Sequence, residues 1–127
     1  MCKEVSLVPL RISTNDSWST SNVVNAINYA KNLWGTTQQI SVVNFSGGGF
    51  PNSSSLKNAI GNFPGLFVTS AGNDNKNIDS STNYPASFDV NNMIVVGSHT
   101  SSGDRSDFSN YGSKSVDIFA PGSSIYS

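Results

Sequence analysis

A single cysteine, Cys2, stands in this chain of 127 residues, so no internal disulfide can form and cysteine spacing offers no metal site. Histidine is equally scarce. His99 is the only one, and one His with one Cys cannot complete a zinc site. Charged residues make up 12% of the chain, and its seven Lys and Arg are scattered singly for a formal net charge of -1. Nucleic-acid footprints and polybasic membrane surfaces both need clustered positive charge, so neither nucleic acid nor membrane is expected as a partner. No apolar run reaches transmembrane length. The stretch Val5 to Ile12, after Met1-Cys2-Lys3-Glu4, is too short and too interrupted by Pro9 and Arg11 to be the apolar region of a secretory signal. Any export signal is expected outside this sequence.

Serine and asparagine are abundant instead, with 24 Ser and 16 Asn, so hydroxyls and amides supply much of the polar surface. At 127 residues the chain is long enough for one domain with a real core, and two domains are not expected. Apolar runs of strand length alternate with helix-like stretches, the pattern of βαβ units, which predicts an α/β domain with a mainly parallel sheet flanked by helices.

Val5 to Ile12 reads as the first strand, with Pro9 demoting it to an edge or to a position whose amide no neighbour needs. A Ser/Thr-rich approach from Ser17 to Ser21 can cap a helix, and Val23, Ile27, Ala30 and Trp34 then recur at helical spacing until Gly35. Ile40 to Phe45 reads as a buried strand, and a shorter helix around Leu56, Ala59, Ile60 and Phe63 stops at Pro64-Gly65. Strands follow at Leu66 to Thr69, Met93 to Val96 and Val116 to Phe119, with a polar loop from Asp74 to Tyr84. The ending, Ser123-Ser124-Ile125-Tyr126-Ser127, closes neither a helix nor a strand, which leads us to expect a domain that continues past it.

Ligand sites in open α/β sheets form beyond the carboxyl ends of strands. Two such exits are made of small residues: Ser46-Gly47-Gly48-Gly49 and Ser70-Ala71-Gly72-Asn73. Small residues let a ligand's backbone approach the protein's own, so two exits side by side can form a channel that pairs with both edges of an extended peptide. The plainer reading is that these glycines only turn the chain. Nucleotide binding is disfavoured, because Gly47-Gly48-Gly49-Phe50-Pro51-Asn52 lacks the third glycine of the dinucleotide fingerprint and no Gly-Lys-Ser/Thr follows. No Gly-x-Ser-x-Gly elbow is present. His99 reads as a residue of a solvated turn just past a strand, without a partner for catalysis. Asp89, Asp104, Asp107 and Asp117 can each serve as a calcium ligand, although carboxylates in turns are more often turn formers. Asn73 ends a strand exit with an amide able to project over a cleft, or else it is a turn Asn that tolerates left-handed backbone.

Order separates these alternatives. Asn44-Phe45-Ser46-Gly47-Gly48-Gly49, Phe67-Val68-Thr69-Ser70-Ala71-Gly72-Asn73, Asn83-Tyr84-Pro85-Ala86-Ser87, Ile94-Val95-Val96-Gly97-Ser98, Asp107-Phe108-Ser109-Asn110-Tyr111-Gly112 and Val116-Asp117-Ile118-Phe119-Ala120-Pro121-Gly122 follow one another. This succession resembles the subtilisin-like serine peptidases, the subtilases, over essentially the whole chain. The resemblance implies a three-layer α/β fold, here incomplete, and a serine endopeptidase domain acting on peptide or protein substrates. It implies that Asn73 is the side-chain donor of the oxyanion hole, and that Ser46, Gly47, Gly48, Ser70, Ala71 and Gly72 line the substrate channel. It implies a cis Tyr84–Pro85 bond and an extracellular or cell-surface location. No cofactor is needed for that chemistry, and a structural calcium site near Ala86, Phe88 and Asp117 is only partly reproduced, with Lys114 close to where some relatives place a carboxylate. Many relatives also have leucine where Gly47 stands, so a wider channel and an altered side-chain preference are expected.

The resemblance also marks what is missing from residues 1–127. Subtilases carry their catalytic Asp in an Asp-[ST]-Gly strand end and their His in a His-Gly-Thr-His helix, and neither motif occurs here. The nucleophile belongs to a Gly-Thr-Ser-x-Ala-x-Pro segment that Ser123, Ser124 and Ser127 do not match. Residues 1–127 are therefore expected to be a partial peptidase domain, inactive in isolation and completed by the remainder of that domain. The alternative is a non-catalytic peptide-binding remnant.

Overall fold

The computed structural model describes residues 4–13 and 18–125. Cys2, Ser17 of the expected cap and the final Tyr126-Ser127 lie outside the described residues. Six elements follow in order: α1 Thr20–Asn32, β1 Val42–Phe45, α2 Ser54–Gly61, β2 Leu66–Ser70, β3 Met93–His99 and β4 Ile118–Pro121. The four strands form one parallel sheet in the order β1-β2-β3-β4, the α/β architecture expected from the alternation of patterns.

Each helix starts on a serine. Ser19 Oγ accepts from the Asn22 amide at 3.2 Å and Ser53 Oγ from the Leu56 amide at 3.3 Å, which satisfies one of the amides that a helix start leaves unpaired. Val23, Ile27 and Ala30 recur on one face of α1, and Leu56, Ala59 and Ile60 on one face of α2. With Phe63, and with Phe67 from β2, they make one apolar core. Burying a side chain of this size stabilises the fold by roughly 1.5–3 kcal/mol. Trp34 falls beyond the end of α1, where its ring meets Phe63 edge-on at 6.3 Å. At the far end of α2, the Asn92 amide donates to the carbonyls of Ile60 and Phe63 at 2.8 and 2.7 Å.

Both helices cover the face that carries Phe67. On the other face Val68, Ile94 and Val96 are half-buried, and no helix of the described residues covers them. The chain thus holds the sheet and one helical layer of the expected three-layer arrangement.

Four expectations shift. The strand expected as buried from Ile40 begins at Val42 and alternates exposed with half-buried residues. Val5 to Ile12 forms no ladder: Pro9 has no amide to donate, and the segment instead lays Leu10 and Ile12 against the core. β3 runs on to His99 because Gly97, Ser98 and His99 pair with Phe119, Ala120 and Pro121. β4 begins only at Ile118, because Asp117 closes on β3 with its own groups: its amide donates to the Val95 carbonyl at 3.0 Å and its carboxylate accepts from the Val95 amide at 2.7 Å.

Candidate functional site

β1 and β2 are parallel neighbours in a register that sets Phe45 beside Thr69. The residues that leave them, Ser46-Gly47-Gly48 and Ser70-Ala71-Gly72, therefore emerge side by side at the carboxyl end of the sheet, where open α/β sheets place their sites. Asn83 ties the two exits together. Its Oδ1 accepts from the Gly49 amide at 3.1 Å while its Nδ2 donates to the Ala71 carbonyl at 3.0 Å. The next residue, Tyr84, bridges to Phe50, whose amide donates to the Tyr84 carbonyl at 3.3 Å. The Tyr84–Pro85 bond is cis, as expected.

Sterics explain the small residues. Gly48 is the exception, since a Cβ there would stand 3.4 Å from the Asn83 amide, an ordinary contact. Gly72 has φ +100, and a Cβ there would collide with the Asn110 and Asn83 side-chain nitrogens. Gly47 differs from what its lack of a side chain suggests. A Cβ at this position would stand 2.6 Å from the Phe45 ring, so that ring already occupies the space next to Gly47. The expected widening is partly filled by a side chain two residues earlier.

Asn73 follows directly and is exposed, and its side-chain amide makes no hydrogen bond among the described residues. The backbone on either side of it is held by one residue. The buried Asn110 donates from Nδ2 to the Ala71 carbonyl at 2.9 Å and from its own amide to the Gly72 carbonyl at 2.9 Å. Its Oδ1 accepts from the Asp74 and Lys76 amides at 3.0 and 2.9 Å. A rigid turn thus presents a free, neutral donor beside two uncharged walls. Asn83 and Asn110 appear in the sequence motifs without a role, because nothing local distinguishes them among 16 asparagines.

Other candidates stay apart from this arrangement. His99 is the last residue of β3 rather than a solvated turn residue; it is half-buried, and its Nδ1 lies 2.7 Å from the Thr100 carbonyl. No hydrogen bond among the described residues joins it to Asn73 or to either wall. Asp104 Oδ2 accepts from Ser102 Oγ at 3.0 Å. No group of three or more His, Cys, Asp or Glu comes together among the described residues. Asp117, the carboxylate named for the expected cation site, gives one of its oxygens to the Val95 amide. Asp79 does a structural task at the edge of the 74–84 loop. Desolvation pushes its carboxyl up, but hydrogen bonds from Ser115, Lys114 and Ser113 outweigh this and hold it below the ordinary 3.8.

Fold and geometry together define an α/β protein with a site open at the carboxyl ends of its parallel strands, built from small uncharged walls and one free amide. The model of the subtilase family matches residues 1–127, and the chain belongs to that family of serine proteases, whose substrates are peptides and proteins. An alkaline proteinase of Hapsidospora chrysogena is 40% identical over 134 residues, covering 100% of this chain and 31% of that protein. Alkaline protease 1 of Emericella nidulans is 39% identical, covering 98% of this chain and 31% of its own length. Among solved structures, a cold-adapted subtilisin-like serine proteinase superposes with a TM-score of 0.72 at 36% identity, over 90% of this chain and 40% of that one. A protease of Pseudoalteromonas arctica gives 0.76 at 33% identity, over 91% of this chain and 35% of that one. The chain spans about a third of the length of these relatives.

Proposed function

We propose that residues 1–127 are the central part of a subtilase endopeptidase domain, contributing the substrate channel and one oxyanion donor to a site completed by the remainder of that domain. The observation that carries this reading is the free amide of Asn73 beside the paired exits of β1 and β2. A peptide lies extended between Ser46-Gly47-Gly48 and Ser70-Ala71-Gly72, its backbone pairing with theirs. When a serine supplied by the rest of the domain attacks the scissile carbonyl, with His as base and Asp as its orienting partner, the carbonyl oxygen gains charge. Asn73 Nδ2 donates to it. A neutral amide binds that oxygen more strongly as its charge grows, so the gain falls on the transition state.

This chemistry draws on no cofactor, and substrate is the only partner it needs besides the rest of the domain. Residues 1–127 alone do not turn over peptides, because the triad acts as a unit. An extracellular or cell-surface location goes with the family reading and is checked by fractionating the producing cells. In the complete peptidase, Asn73→Ala is expected to lower kcat by about 100- to 1,000-fold with KM little changed, the loss known for such a donor in a subtilisin itself. An unchanged kcat would remove Asn73 from the oxyanion hole.

A further inference from the structure

Four of the hydrogen bonds that fix the turn around Asn73 end on one residue. Asn110 is fully buried, at 0% exposure, and holds the chain before Asn73 through the Ala71 and Gly72 carbonyls and after it through the Asp74 and Lys76 amides. The neighbours of Asn110 extend the clamp: the Phe108 carbonyl accepts from the Asn75 amide at 2.8 Å, and the Tyr111 amide donates to the Lys76 carbonyl at 2.9 Å. Asn73 has no bond of its own to set its direction. Its aim is therefore dictated by backbone that Asn110 holds from both sides. Asn83 shares only the Ala71 carbonyl and otherwise serves the opposite wall.

We propose that Asn110 is the positioning residue of the oxyanion hole, acting on turnover solely through the placement of Asn73. The proposal rests on the reading of Asn73 as the donor. Only an amide side chain suits the place: Nδ2 faces a carbonyl while Oδ1 faces two amides, and no smaller neutral side chain both donates and accepts at that reach. A donor must meet the developing oxyanion within a few tenths of an ångström to act on it, so loosening the turn lowers kcat while the channel still binds substrate.

The test is a double-mutant cycle in the complete peptidase, with kcat normalised to titrated active sites. Asn110→Ala is expected to lower kcat by roughly 10- to 100-fold, the cost of misplacing a catalytic group by about 1 Å, with KM within about threefold of the parent. In the Asn73→Ala background the same change should have almost no further effect, because the residue it aims is gone. A merely structural role lowers the melting temperature and leaves kcat per active site intact, or adds its full loss to that of Asn73→Ala; either result overturns the proposal. If Asn110→Ala does not fold, Asn110→Asp enters the same cycle, since it turns a carboxylate oxygen towards the Ala71 carbonyl. A parental kcat in Asn110→Asp overturns the proposal as well. If Asn73→Ala alone leaves kcat unchanged, the reading of Asn73 fails, an outcome distinct from failure of the clamp.

Discussion

Gly72 carries the strictest steric demand in the site, because φ +100 and the Asn110 and Asn83 nitrogens both exclude a side chain there. Gly48 lies against the Asn83 amide, and Gly47 gives its space to the Phe45 ring. At Gly72, and at Gly47 through the Phe45 ring, a small residue is thus required by what packs on it. Gly72→Ala is accordingly expected to destabilise the complete domain by about 1–3 kcal/mol, the range for a non-glycine residue in disfavoured backbone. It should also lower turnover, because the strain lands next to Asn73. A melting curve and a kcat measurement on the same preparation check both, and a variant as stable as its parent would show that the turn accommodates a side chain.

The elements were legible where local pattern decides and displaced where a distant partner does. Apolar helix spacing placed α1 and α2 within a few residues, and the Ser/Thr-rich approach marked the start of α1, since periodic apolar positions and an unpaired helix start are local facts. The end of β3 was not legible, because Gly97, Ser98 and His99 are strand only through pairing with β4. Both small-residue exits and Asn73 could be read from the sequence as a candidate site. The clamp on them could not: Asn110 reaches Ala71, Asp74 and Lys76 across separations of 34 to 39 residues. Another such long-range tie is Asp79, which accepts from the Lys114 and Ser115 amides at 3.2 and 3.0 Å. With its carboxyl held below 3.8 in the folded chain, it contributes stability at pH values above the unfolded value, and the contribution is lost as pH falls through the folded one. Asp79→Asn in the complete domain should therefore melt below its parent at neutral pH, with the gap narrowing as pH drops past 3.8. A gap that stays constant as pH falls well below 3.8 would show that the charge of Asp79 is not what holds the 113–115 turn.

At the scale of the whole molecule, the sheet is finished on one face and open on the other. Val42 on β1 and Ile118 on β4 are 54% and 52% exposed, and the face carrying Val68, Ile94 and Val96 has no helix over it among the described residues. Strands of a parallel sheet are ordinarily buried on both faces, so these surfaces suit a chain that works as part of a larger subtilase domain. The two small-residue exits and Asn73 sit at the carboxyl edge of that sheet. The most direct measurement is a crystal structure of the complete domain with a peptide aldehyde captured as its tetrahedral adduct. The peptide should lie between Ser46-Gly47-Gly48 and Ser70-Ala71-Gly72, with the adduct oxygen about 2.7–3.1 Å from Asn73 Nδ2. A peptide bound elsewhere, or an adduct oxygen met by other donors with Asn73 turned to solvent, would contradict the account.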